Sequence, residues 1–166
     1  MERAAFETPL SDEQLKELGR LVVNYGVVEF LLGMHVSSLC RVESDARIEL
    51  ISPLSTRRKL DILKSGLMRI PRDATRALVG EGCKLIDPTL RDRNVLLHGI
   101  WGFDSEKSDG KPIVASTKDR HSRLDAAAII KTADALAISS RKLIEAFVVD
   151  GGHTPLGEPE RLVIVP

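Results

Sequence analysis

The chain has 166 residues, 43% of them hydrophobic and 29% charged, a mix that supports one folded domain and excludes a chain disordered throughout. Aromatic residues are only 4%, so aliphatic side chains must fill the core, which favours helices packed on helices over a β-sandwich. Lys plus Arg and Asp plus Glu each number 24, so the formal net charge is zero; this disfavours a protein that coats nucleic acid through bulk charge and leaves room for a local basic cleft.

Residues 1–11 read as a flexible start. Ser11 followed by Gln14 has the spacing of a capping box, and Leu15, Leu18, Val22, Tyr25, Leu32, Val36 and Leu39 then recur at three- and four-residue steps. The spacing predicts a helix over 12–41. Glu29 falls on its apolar stripe, where an unpaired charge is costly, so a cationic partner is expected. Residues 42–52 are polar and broken. Ser52-Pro53 looks like a helix entry, predicting a second helix over 53–69. A third helix is expected over 72–98, kinked or split at Pro88 and stopped at Gly99. Ile100–Phe103 and Pro112–Ala115, joined through a turn-like 108–111, read as a hairpin, and helical spacing returns over 124–148.

The sum is an all-α, up-and-down bundle of four to five helices with a small β-hairpin insertion before the last helix. Residues 12–148 form the helical domain and 149–166 a tail. Cys40 and Cys83 lie in apolar periodic stretches without zinc-like spacing, which predicts buried free thiols and no metal site. The first fifteen residues lack the apolar centre of a secretory signal, and no apolar run approaches the roughly 18 residues that cross a bilayer. A cytoplasmic protein with no membrane partner is expected.

The third helix ends in Arg93-Asn94-x-x-x-His98, followed by Gly99 and Trp101. This pattern resembles the signature of the HEPN family (higher eukaryotes and prokaryotes nucleotide-binding), in which an Arg precedes a His by a few residues at a helix end. Glu29 on a long first helix and the order of elements over 12–148 are similar too. The resemblance implies a metal-independent endoribonuclease without a cofactor. Arg93 and His98 would be catalytic and Asn94 would assist; Arg91 is read either as adding affinity for substrate phosphate or as a solvated surface arginine. It also implies RNA as partner, a homodimer with a composite site, and membership of toxin–antitoxin or defence systems, with an antitoxin protein as a further partner.

The chemistry can be read from the residues themselves. Asn94 and His98 are four apart and share a helix face, whereas Arg93 is one position off it. Arg and His of one chain therefore do not converge tightly; a two-fold contact between copies of this helix would bring them together. Histidine is a suitable base for a 2′-hydroxyl, and arginine holds a phosphate bidentately. DNA lacks that hydroxyl. A non-catalytic bundle that binds nucleotide or RNA, or mediates dimerisation, is the alternative, with Arg93 in an ordinary ion pair and His98 capping carbonyls. Glu29 is expected to support Arg93 directly or to pair with another cation. Arg57-Arg58-Lys59 is read either as an RNA-groove flank or as a solvated face. Trp101 is expected under the hairpin. His35 reads as a core-edge residue, and His121 and His153 have no partner spacing. No dinucleotide or P-loop glycine motif occurs.

Overall fold

In the computed structural model, which describes residues 9–103, 111–117 and 123–150, the first helix begins where its cap stands. The Ser11 hydroxyl accepts the Gln14 N–H at 3.2 Å, and the Gln14 side chain accepts the Ser11 N–H at 2.9 Å, closing the reciprocal box that satisfies two otherwise orphan donors. This helix, α1, runs Asp12–Cys40. It ends at Arg41, whose backbone is left-handed (φ 54°), and the Val42 N–H closes the terminus on the Ser37 carbonyl at 2.9 Å.

The polar stretch after α1 holds a helix that its composition does not announce, α2 (Ser44–Leu50). It is two turns long, has no side-chain cap, and leaves Ile48 and Leu50 exposed, so no periodic buried face marks it. The next helix, α3 (Thr56–Gly66), is capped by Ser55, which accepts the Arg58 N–H at 3.2 Å. The expected entry at Ser52-Pro53 is thus displaced by one turn. A short 3₁₀ turn, Leu67–Arg69, completes the segment. Helix α4 (Asp73–His98) is continuous through Pro88, so the expected split does not occur. Strands β1 (Ile100–Phe103) and β2 (Pro112–Ala115) pair antiparallel with Trp101 opposite Val114. A third strand, β3 (Arg123–Asp125), joins β2 where the helix was expected to begin. Helix α5 follows at Ala127–Val149, its first turn held by the Asp125 carboxylate, which accepts the Ala128 N–H at 3.1 Å. The insertion is therefore a three-stranded meander. The expected flexible start (but for residues 9–11), the turn at 108–110, His121, His153 and the tail beyond Asp150 lie outside the described residues.

The five helices pack as a mainly α bundle, with α4 and α1 both laid along α5 and α3 leaning on α1 and α4. The core is aliphatic, built from Leu21, Leu32, Leu60, Leu63, Ile86, Leu96, Leu136 and Leu143 among others, as the low aromatic content requires. Helix α1 is long and apolar enough to cross a bilayer by length and composition, contrary to the expectation, and half of its apolar window is buried inside the protein, as a core helix requires. Cys83 is buried, and burial pushes its thiol up to about 11; Cys40, expected inside, is exposed at the end of α1.

Two positions carry consequences for stability. Gly99 is extended (φ −78°, ψ 170°), a conformation any residue adopts, so its glycine is required by space. A Cβ there would lie 2.4 Å from the Val95 carbonyl oxygen, 2.5 Å from Val114 Cγ2 and 2.7 Å from the Ala115 carbonyl oxygen. We expect Gly99→Ala to lower the urea unfolding free energy by about 1–3 kcal/mol through overpacking.

His35 is the second position. It is buried, stacked on Phe147 with centroids 3.9 Å apart, and its Nε2 lies 3.0 Å from the Leu143 carbonyl. Desolvation pushes its pKa from 6.5 down to about 4, against that hydrogen bond. The unfolded chain therefore binds the extra proton between these values. Stability is fully present above the ordinary histidine pKa and falls as pH drops towards 4, by roughly 3 kcal/mol from this group. Urea midpoints measured across that window will show the fall, and His35→Gln will flatten it.

Candidate functional site

Arg93 and Asn94 of the motif border a cleft of about 780 Å³. One wall is the last half of α4, with Asp87, Pro88, Leu90, Arg91, Arg93 and Asn94; the other is Tyr25 of α1 and the entry of α3 at Ser55, Thr56 and Arg57. Pro88 has no N–H, so the Lys84 carbonyl loses its usual helical donor where α4 passes the cleft. Ser55, Thr56 and Arg57 place the start of α3, with the positive partial charge of a helix N-terminus, at the same space.

Arg93 is half-buried and closely held. Its guanidinium carbon lies 3.6 Å from the centroid of the Tyr25 ring, a cation–π stack, and its Nη1 donates to Asn94 Oδ1 at 2.7 Å. Its Nε is buried and has no hydrogen-bond partner among the described residues. Tyr25 is in turn fixed from behind. Its hydroxyl is hydrogen-bonded to Thr56 Oγ1, and Thr56 Oγ1 donates to Glu29 Oε1 at 3.0 Å. A hydroxyl has one proton to give, so with Thr56 donating to Glu29, Tyr25 donates to Thr56. The Glu29 carboxylate also faces Lys59 Nζ at 3.9 Å. A chain of contacts thus runs Lys59–Glu29–Thr56–Tyr25–Arg93 and crosses three helices.

This answers the question posed by Glu29. Its cationic partner is Lys59, from the basic run; it does not pair with Arg93 directly and is linked to it only through two side chains, Thr56 and Tyr25. The run itself is divided by its surroundings. Lys59 is buried, while Arg57 is ion-paired with Asp87 and lies 3.8 Å from Asp61. Asp87 is held below the usual carboxylate range, first by its hydrogen bond to Lys64 and then by Arg57.

The fold brings Arg91, Arg93 and Asn94 to one cleft and leaves His98 outside it. His98 is exposed as the last residue of α4, one turn beyond Asn94. Glu29 lines a separate hollow of about 320 Å³ with Arg47 and Lys59. Trp101 is half-buried and donates through Nε1 to the Leu96 carbonyl at 3.2 Å, the packing role expected of it. Sequence reasoning missed Tyr25 and Thr56 as parts of the site. The usable signal was the four-residue step from Tyr25 to Glu29, which sets ring and carboxylate on one face of α1. Among the described residues no three His, Cys, Asp or Glu side chains gather as metal ligands.

Comparison with known proteins adds no relative: no family model, no curated protein and no solved structure matches the chain. The functional reading therefore rests on the residues and their geometry.

The stack makes an energetic prediction. In a double-mutant cycle of Tyr25→Leu and Arg93→Met, urea unfolding should give a coupling of about 0.5–2 kcal/mol. A coupling indistinguishable from zero would mean that the two side chains are adjacent without holding each other.

Proposed function

We propose that the protein is a metal-independent endoribonuclease of the HEPN type, working as a homodimer. The observation that carries the reading is the state of Arg93. It is a guanidinium fixed on an aromatic face, bonded to Asn94, with a buried N–H that no group among the described residues accepts, in a cleft that a helix N-terminus also lines. Such a group suits a phosphate diester: it presents parallel donors and stabilises charge that grows in the transition state. Arg91 on the same wall adds affinity for a neighbouring phosphate.

In this reading His98 comes to the cleft from the second copy of the chain. Its imidazole takes the proton of the ribose 2′-hydroxyl, and the 2′-oxygen attacks the adjacent phosphorus. The bond from phosphorus to the 5′-oxygen breaks, and the leaving oxygen regains a proton from the imidazolium or from water. The products are a 2′,3′-cyclic phosphate and a 5′-hydroxyl end. Arg93 stabilises the equatorial oxygens, and Asn94 keeps the guanidinium turned towards them. A toxin or defence role in the cytoplasm, with an antitoxin protein as partner, belongs to the same proposal.

One observation favours the rival reading, a non-catalytic bundle that binds RNA or nucleotide or serves dimerisation. Within one chain His98 does not line the cleft, so the cleft alone offers phosphate binding without a base. Incubation of mixed RNA with the protein in EDTA separates the two readings. Cleavage to cyclic-phosphate ends is expected from the parent. In Arg93→Ala and His98→Ala it should fall at least about a hundredfold, the usual weight of such groups. Equal behaviour of all three proteins would remove the catalytic reading, and retained RNA binding lost only in Arg93→Ala would favour the rival.

A further inference from the structure

A second cleft, of about 460 Å³, opens where the C-terminal ends of α1 and α5 meet the start of α4. Its lining includes Arg41, Arg69 and Thr75, with Asp150 as the acidic group among them. Nothing in the ribonuclease reading uses it.

The start of α4 is poorly satisfied. Arg72 at the cap position provides no side-chain acceptor, and the first backbone bond of the helix is Arg76 N–H to the Arg72 carbonyl at 2.9 Å. The N–H groups of Asp73, Ala74 and Thr75 precede it and have no acceptor within the helix. The Asp73 carboxylate, the natural candidate to cap them, is ion-paired with Arg76.

Thr75 gives a second and independent observation. It is only 5% exposed, it lines the cleft, and its hydroxyl is buried with no hydrogen-bond partner among the described residues. Three other buried helical hydroxyls return to a carbonyl one turn back: Ser37 to Gly33 at 2.9 Å, Thr89 to Ile86 at 2.6 Å and Ser139 to Ala135 at 2.7 Å. Thr75 does not, and an unmet buried hydroxyl costs about 1–3 kcal/mol.

The charges around this point favour an anion. Among the described residues the Arg41 and Arg69 side chains form no ion pair, and both are exposed at the cleft. Arg41 holds its place in a left-handed backbone that arginine rarely adopts. Against them stand Asp150 and the C-terminal ends of α1 and α5. Asp150 lies 3.4 Å from Arg72, which offsets it. The ends of α1 and α5 count for about half a charge each and have part of their carbonyls satisfied, so the two guanidiniums and the α4 terminus leave the balance positive.

We propose that this cleft binds a phosphate group, free or carried on a small monoester, between Arg41, Arg69 and the first turn of α4, with the Thr75 hydroxyl as a donor to it. Helix N-termini and paired arginines are the usual elements of such sites. The proposal is independent of the ribonuclease reading.

Amide NMR at neutral pH tests it, with inorganic phosphate in one titration and glycerol phosphate in the other. Saturable shifts of the Ala74 and Thr75 amides are expected, with a midpoint below about 10 mM for at least one probe, and the tighter probe identifies the source of the phosphate. The double variant Arg41→Gln/Arg69→Gln should weaken the midpoint at least about tenfold. Thr75→Val should weaken it about threefold or more, and Thr75→Ser should restore it. Arg93→Ala should leave these shifts unchanged, which separates this cleft from the first. No saturable shift with either probe, or an unchanged midpoint in both the double variant and Thr75→Val, would overturn the proposal.

Discussion

A buried ammonium must be compensated, and in this fold that need, at Lys59, organises the neighbourhood of the motif. Glu29 meets Lys59 and the Thr56 hydroxyl, both on α3, which anchors α3 to the middle of α1. Thr56 then accepts from Tyr25, and Tyr25 presents its ring to Arg93 on α4. Hydrogen bonds from phenol to hydroxyl to carboxylate draw electron density towards the ring, which strengthens its attraction for the guanidinium. Removing the charge at position 29 would leave Lys59 buried without its partner, and the effect would reach Arg93 through two intervening side chains.

That arrangement explains why an arginine can sit half-buried with one N–H unmet. Its delocalised charge is stabilised by the aromatic face, and among the described residues no acid pairs with it. Arg57, by contrast, is committed to Asp87 on the rim of the same cleft. The two arginines have the same chemistry and different neighbours, and only the one stacked on Tyr25 is left with unused hydrogen-bonding capacity. The second cleft, at the start of α4, shows the same principle at the other end of the same helix, where Arg41 and Arg69 stand near an uncapped turn.

Much of this was legible in the sequence, and the parts that were not have physical reasons. The box at Ser11 and Gln14 and the apolar stripes of α1, α4 and α5 follow from local rules, because neighbours within one turn decide them. Gly99 stops the helix by leaving room for strands β1 and β2, a tertiary cause that the residue type alone does not reveal. Helix α2 and strand β3 are too short to show a period, and Ser55 competes with Ser52 as a cap on equal local merits. Pro88 is tolerated inside α4 because packing on α5 outweighs one lost backbone bond. At the site, the sequence placed Arg91, Arg93 and Asn94 together because they are neighbours on one helix. Tyr25 reaches Arg93, and Thr56 reaches Tyr25, only through tertiary contact, and no spacing rule links Tyr25 with a partner 31 residues on.

The account's central claim is that the phosphate-binding half of the site and its base belong to different copies of the chain. Mixing Arg93→Ala with His98→Ala protein, each inactive alone, tests it most directly. If the site is composite, exchange of subunits produces mixed dimers in which one site keeps both an intact Arg93 and an intact His98, and ribonuclease activity should return to about a quarter of the parent's. A mixture that exchanges subunits yet stays as silent as either variant, beside an active parent, would contradict it.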